Sequence, residues 1–230
     1  MKPINKYFDH TLLSPAATRN DILTLCQEAK DYDFYAVCVA SSYVSLAAKE
    51  LQNSDVLVAS VIGFPLGTCF TETKVQEATA AMQLGAREVD MVINLGALKD
   101  GCLDYVSEDI GQVAAVCEKY QGALKVIIES HLLSDMEIPL ACRLALEAGA
   151  DFVKTSTGFS NGGASIKAVS LMKSCVKDNA YIKASGGIRT LETALAMIKA
   201  GADRIGASAS VSIMKEALIE IGRASCRERV

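Results

Sequence analysis

The chain has 230 residues, half of them apolar, and a formal net charge of -4. That length suits one sizeable domain, and the absence of a long basic run argues against nucleic acid as a partner. The opening Met1-Lys-Pro-Ile-Asn-Lys-Tyr-Phe-Asp9 has no apolar leader core, and no run reaches the roughly eighteen apolar residues of a membrane span. The expectation is a soluble cytoplasmic protein with no membrane partner.

Short apolar runs recur along the chain with helical patterns between them. They predict strands near Lys6–His10, Ala36–Ala40, Val56–Ile62, Glu88–Ile93, Leu124–Glu129, Asp151–Thr155, Tyr181–Ser185 and Arg204–Ala207. Regular alternation of strand and helix favours parallel βα units, and eight of them predict a single-domain (β/α)8 TIM barrel. A doubly wound open sheet is the alternative, but no G-x-G-x-x-G follows the first strands. A last helix is predicted over Val211–Ile221. The barrel domain is therefore expected to span 1–222. Residues 223–230 break the apolar periodicity and read as a disordered tail or a cloning scar.

A repeat supports the barrel. Three predicted helices end in Gly-Ala and run straight into a strand: Leu84-Gly-Ala-Arg-Glu-Val-Asp90, Ala148-Gly-Ala-Asp-Phe-Val-Lys154 and Ala200-Gly-Ala-Asp-Arg-Ile-Gly206. Glycine suits the left-handed residue that closes a helix. The repeat puts Asp90, Lys154 and Gly206 at equivalent places on three strands. Alternation then sets the faces. Glu88 and Asp90, Phe152 and Lys154, and Tyr181, Lys183 and Ser185 share the faces opposite Val89, Met91, Val153 and Ile182. Asp90, Lys154 and Lys183 are thus expected to point into the barrel, near the strand ends where barrel active sites form.

Lysine rarely occupies a buried strand, because burying an unpaired ammonium is costly. Two inward lysines on consecutive strands suggest that one amine is kept neutral by burial and by its like-charged neighbour. A neutral lysine attacks carbonyls and forms a Schiff base that acts as an electron sink. Asp90 is the matching proton carrier. Asp9, at the end of the first predicted strand, is expected to face the barrel mouth and to hold Lys183 in an ion pair. Cys38 and Thr155 are assigned supporting places, Thr155 in the polar loop Thr155-Ser-Thr-Gly-Phe159. Phosphate is expected at the glycine loops after strands seven and eight, through Gly186, Gly187, Gly206 and the hydroxyl of Ser208, while the loop holding Gly158 suits ligand hydroxyls. The eight cysteines show no C-x-x-C pair and read as buried reduced thiols. His10 and His131 lack a ligand neighbour at helical spacing, which argues against a zinc site.

Several segments in order resemble the deoxyribose-phosphate aldolase family of class I aldolases. They are Phe8-Asp-His-Thr-Leu-Leu13, Ala36-Val-Cys-Val39, Val61-Ile-Gly-Phe-Pro-Leu-Gly67, Glu88-Val-Asp-Met-Val-Ile-Asn94, Leu124-Lys-Val-Ile-Ile-Glu129, Phe152-Val-Lys-Thr-Ser-Thr-Gly158 and Ile182-Lys-Ala-Ser-Gly-Gly-Ile-Arg-Thr190. The resemblance implies reversible cleavage of 2-deoxy-D-ribose 5-phosphate to D-glyceraldehyde 3-phosphate and acetaldehyde, in cytoplasmic deoxynucleoside breakdown. Lys154 matches the Schiff-base lysine, Lys183 the second lysine and Asp90 the proton-transfer aspartate. No metal or organic cofactor is implied, and the partners are phosphosugar and aldehyde substrates and further copies in a homodimer or homotetramer. Many members end in a tyrosine that reaches the site, whereas no tyrosine follows Tyr181 here. The other readings are a Schiff-base or transaldolase-like enzyme for another phosphosugar, and a non-catalytic phosphosugar-binding barrel.

Overall fold

A computed structural model describes residues 2–227, with side chains to residue 220. Eight parallel strands close on themselves in sequence order: β1 (Phe8–Leu12), β2 (Ala36–Val39), β3 (Leu57–Ile62), β4 (Glu88–Val92), β5 (Ala123–Ile127), β6 (Phe152–Lys154), β7 (Tyr181–Ser185) and β8 (Arg204–Ala207), which pairs with β1. Around them lie α1 (Arg19–Asp31), α2 (Val44–Leu51), α3 (Thr71–Gln83), α4 (Leu95–Lys99), α5 (Leu103–Lys119), α6 (Glu137–Glu147), α7 (Ile166–Val176), α8 (Leu191–Lys199) and α9 (Ser210–Arg227). This is the (β/α)8 barrel that the alternation predicts. No helix among the described residues is long and apolar enough to cross a membrane.

Local chemistry explains the joints. Thr18 caps α1 by accepting from the Asp21 N–H while Asp21 accepts from the Thr18 N–H, a reciprocal capping box. In all three copies of the repeat the glycine sits just past a helix, with φ of +109° at Gly85, +94° at Gly149 and +114° at Gly201. There it costs nothing to adopt the left-handed turn that a side chain would resist.

Two cores result. The outer one packs strand residues such as Val37, Val89, Val126, Val153 and Ile182 against the helices. Each fully buried aliphatic side chain there contributes roughly 1.5–3 kcal/mol. The inner one holds only a small apolar cluster, Cys38, Ala59 and Val61, with Leu13 and Phe64 against it. The centre of the barrel interior is charged, with Phe152 packed against the charged groups. Cys26, Cys38, Cys117 and Cys142 are buried as expected, but Cys69 and Cys175 are half-buried and Cys102 is exposed.

Several boundaries differ from expectation. Ile4–Tyr7 form a 3-10 turn, so β1 starts at Phe8 and runs on to Leu12. Asp9 therefore lies near the start of its strand, fully buried beneath the mouth rather than facing it. The fifth strand stops at Ile127, because Glu129 turns left-handed (φ +48°) and leads into the 3-10 turn Ser130–Leu132. The last helix continues past Ile221 to Arg227. The expected tail at 223–230 falls partly on this helix end and partly, at 228–230, outside the described residues.

A second buried ion pair ties the outer layer together. Lys74 of α3 bonds Asp109 of α5 at 2.5 Å and the Val92 carbonyl at 3.0 Å, while Thr71 donates to Asp109. Both charged side chains are fully buried. Lys74→Met strands an unpaired carboxylate and should lower the unfolding free energy by about 3–5 kcal/mol. The double change Lys74→Met with Asp109→Leu should cost much less. Equal losses in denaturant unfolding of the two variants would contradict the pair.

Candidate active site

The barrel interior is built on one carboxylate. Asp90 of β4 accepts from Lys154 of β6 (2.8 Å) and Lys183 of β7 (2.7 Å) on Oδ2, and from Lys125 of β5 (2.8 Å) on Oδ1. The register explains the meeting: Asp90 lies beside Lys125, and Lys154 beside Lys183. Asp9 bonds Lys183 and, at 2.6 Å, Arg204 of β8. Glu88 bonds Lys125 at 2.7 Å and Arg204 at 3.3 Å. Arg204 also stacks on Tyr35, its guanidinium carbon 3.4 Å from the ring centroid. Four cations thus face three carboxylates, every one of them buried.

Burial alone would discharge each group, and the partners reverse it. Burial pushes the Asp90 carboxyl up, but Lys125, Lys154 and Lys183 together hold it well below the usual carboxylate range. Burial likewise opposes the Asp9 charge, and Lys183, Arg204 and Lys125 hold that carboxyl down. Lys183 is desolvated too, yet Asp9 and Asp90 raise its pKa above the ordinary lysine value. Asp90 and Glu88 do the same for Lys125 against its burial, and Asp9 and Glu88 for Arg204. Cys38, 4.0 Å from Asp90, goes the other way: burial and then the Asp90 charge raise its pKa, so the thiol stays neutral.

Above this network opens a cavity of about 330 Å³ at the C-terminal ends of the strands. Lys154 lines it, whereas Lys183, Asp90, Asp9 and Cys38 lie beneath, fully buried. The two lysines are therefore not equivalent. All five residues expected to bind phosphate or substrate line the same cavity: Gly158, Gly186, Gly187, Gly206 and Ser208. Two of the glycines are forced by close approach. A Cβ on Gly206 would stand 3.0 Å from Lys183 Cε, and one on Gly186 would stand 3.0 Å from Gly163 Cα.

Thr155 departs from its expected place. It does not line the cavity. Its hydroxyl donates to the Ser185 carbonyl and accepts from the Ser185 N–H, stitching the end of β6 to β7. Thr157, two residues on, does line the cavity and donates to Glu129 at 2.6 Å. Sequence reasoning missed Lys125, Glu88, Arg204 and Glu129 as members of the site. Lys125 carried the same signal as the other two lysines, a cation within the apolar run Leu124-Lys-Val-Ile-Ile128.

A family model described as DeoC/LacD family aldolase matches residues 4–227. The chain is 56% identical over 216 residues to the deoxyribose-phosphate aldolase of Thermococcus gammatolerans, covering 93% of this chain and 96% of that one. It is 54% identical over 212 residues to the deoxyribose-phosphate aldolase of Clostridium novyi, covering 92% and 95%. Among solved structures, the tetrameric deoxyribose phosphate aldolase of Aeropyrum pernix superposes with a TM-score of 0.87 at 35% identity, covering 92% of this chain and 89% of that one.

The ion network makes stability depend on pH at both ends. Asp9 and Asp90 are held below the ordinary 3.8, so their contribution is present above that value and is lost as acid protonates them. Lys125 and Lys183 are held above the ordinary 10.5, so theirs is present below that value and is lost in strong base. The urea midpoint should fall steeply below about pH 4. Asp9→Asn should lower it at pH 7 and flatten the acid limb. An acid limb unchanged in that variant would contradict the network.

Proposed function

The chain belongs to the DeoC/LacD family of aldolases, and from that premise we propose that it cleaves 2-deoxy-D-ribose 5-phosphate reversibly to D-glyceraldehyde 3-phosphate and acetaldehyde through a Schiff base on Lys154. One observation carries the reading. Among the described residues, Lys154 is the single cation of the buried network that also lines the cavity. Four cations against three carboxylates leave one positive charge in surplus, and buried surplus charge is costly. Lys154 meets one carboxylate, while Lys125, Lys183 and Arg204 each bond two. Lys154 is therefore the least tied of the four cations and the one open to a substrate.

The neutral Nζ of Lys154 attacks C1 of the open-chain sugar. Loss of water gives the imine, and the C2–C3 bond breaks as the 3-hydroxyl loses its proton. The C2–C3 electron pair moves into the enamine, and D-glyceraldehyde 3-phosphate leaves. Protonation at C2 and hydrolysis then release acetaldehyde and restore the amine. Asp90 bonds both Lys154 and Lys183. It can therefore carry the carbinolamine proton directly and pass others through Lys183 or a water. The phosphate rests on the main chain at Gly186 and Gly187, on Ser208 and on the N-terminal end of α9, two residues further on. The Gly158 and Gly206 positions leave room for the chain of the sugar. No residue role here calls for a metal or an organic cofactor. The reaction belongs to deoxyribose phosphate catabolism in the cytoplasm, and the Aeropyrum pernix tetramer supports a homo-oligomer.

Borohydride reduction with acetaldehyde should leave a two-carbon adduct on Lys154 by peptide mass analysis, and an unmodified Lys154 would sink the proposal. Asp90→Asn should lower kcat by about 10²–10⁴. Ser208→Ala should raise KM for the phosphosugar about tenfold or more, the loss expected for one bond to a charged group. Cleavage of unphosphorylated deoxyribose should be little changed in that variant. A ketose phosphate cleaved faster than deoxyribose 5-phosphate would move the assignment to a different aldolase.

A further inference from the structure

The reaction needs Lys154 uncharged, yet its own surroundings do not decide this alone. The ion-paired and titratable groups inside the barrel come from nearly every strand: Asp9 from β1, Cys38 from β2, Glu88 and Asp90 from β4, Lys125 from β5, Lys183 from β7 and Arg204 from β8, while Glu129 stands apart on Thr157 and His131, and Arg189 lines the same cavity as Lys154. The β3 strand contributes Ala59 and Val61 to the small apolar cluster. Tyr35 lies under Arg204, and Lys2 lies over the Tyr7 and Tyr35 rings with its amine on the Asp203 carbonyl. Lys2 is exposed, so its charge is screened. Remove Lys125 from this set and three cations face three carboxylates, with no surplus left to expel.

We propose that Lys125 is a positioning residue whose buried charge creates the one-cation surplus and so leaves Lys154 as the amine without a proton. The inference rests on the Schiff-base reading of Lys154 and deepens it. Lys125 is fully buried and does not line the cavity, so it touches no substrate. It acts through Asp90. By occupying Oδ1 it compels Lys154 and Lys183 to share Oδ2. It also bonds Glu88 at 2.7 Å and stands 3.9 Å from Asp9, so it draws on all three carboxylates of the ion-paired network. The ring of Phe152, 5.8 Å from its amine, closes its remaining side. Lys183 is the like charge beside the nucleophile, and Lys125 is the one that puts the whole interior out of balance.

A count of charges makes signed predictions that a packing role does not. The readout is the initial rate of acetaldehyde imine formation, trapped with cyanoborohydride and followed by mass, as a function of pH. Acetaldehyde carries no titrating group, so the profile reports the protein. Lys125→Met should move the midpoint of the acid limb up by about one unit or more, the size of effect a close like charge has. Lys125→Arg, which keeps the charge, should leave the midpoint near the wild-type value. Glu88→Gln adds to the surplus and should move it down. The double variant Lys125→Met with Glu88→Gln restores a surplus of one and should bring it back. A Lys125→Met protein slower at all pH values with an unmoved midpoint would overturn the inference, as would an unmoved midpoint in Glu88→Gln. Should Lys125→Met fail to fold, Glu88→Gln decides alone. A wild-type protein that forms no adduct on Lys154 overturns the Schiff-base reading and this inference together. An adduct formed with midpoints that ignore charge overturns only the inference.

Discussion

One buried carboxylate, Asp90, takes hydrogen bonds from three lysine amines, and the barrel interior is arranged around that fact. Removing charges from water costs several kcal/mol each and is tolerable only when every charge meets opposite charge at close range. Asp9 and Glu88 supply the remaining contacts, and Arg204 links them at the bottom. Apolar residues would fill such a space at less cost, and many barrels use them. Here the apolar packing is displaced to the outer layer, between strands and helices, and the inner space is spent on a charged array. Stability and chemistry are thus carried by different faces of the same eight strands.

Alternation is what makes that division readable. Val89, Val153 and Ile182 face the helices, so Asp90, Lys154 and Lys183 had to face inward, and they do. The three Gly-Ala joints fixed where the strands begin, because a left-handed glycine ends each preceding helix. The eight strands and their closure follow from these local patterns. The glycines and Ser208 after the last three strands could likewise be placed on one cavity, since loops at one end of a barrel must converge.

What stayed hidden depends on geometry across the barrel. Lys125 sits in an apolar run like the other lysines, but no glycine loop follows it, so its sequence offers no link to a site. Only the register of β4 against β5 brings it to Asp90. Glu88 and Arg204 read singly as an ordinary charge at each strand start, and their pairing requires closure of the sheet. Asp9 lies beneath the mouth because Ile4–Tyr7 form a 3-10 turn whose pattern resembles a strand, so β1 starts two places later and Asp9 sits two places further down the wall. Thr155 lies just beyond β6, where its hydroxyl meets a neighbouring strand's main chain rather than the cavity. Glu129 gave no sign of its left-handed backbone, since that conformation is imposed by the turn that follows.

The proposed chemistry requires one distribution of protons inside the barrel, with Asp9 and Asp90 ionised, Lys125 and Lys183 protonated, and Lys154 the amine short of a proton. Neutron diffraction from a deuterated crystal at neutral pH locates these protons directly. Three deuterons are expected on Nζ of Lys125 and of Lys183, two on Nζ of Lys154, and none on Asp9 or Asp90. Three deuterons on Lys154, or a deuteron on Asp90, would contradict it.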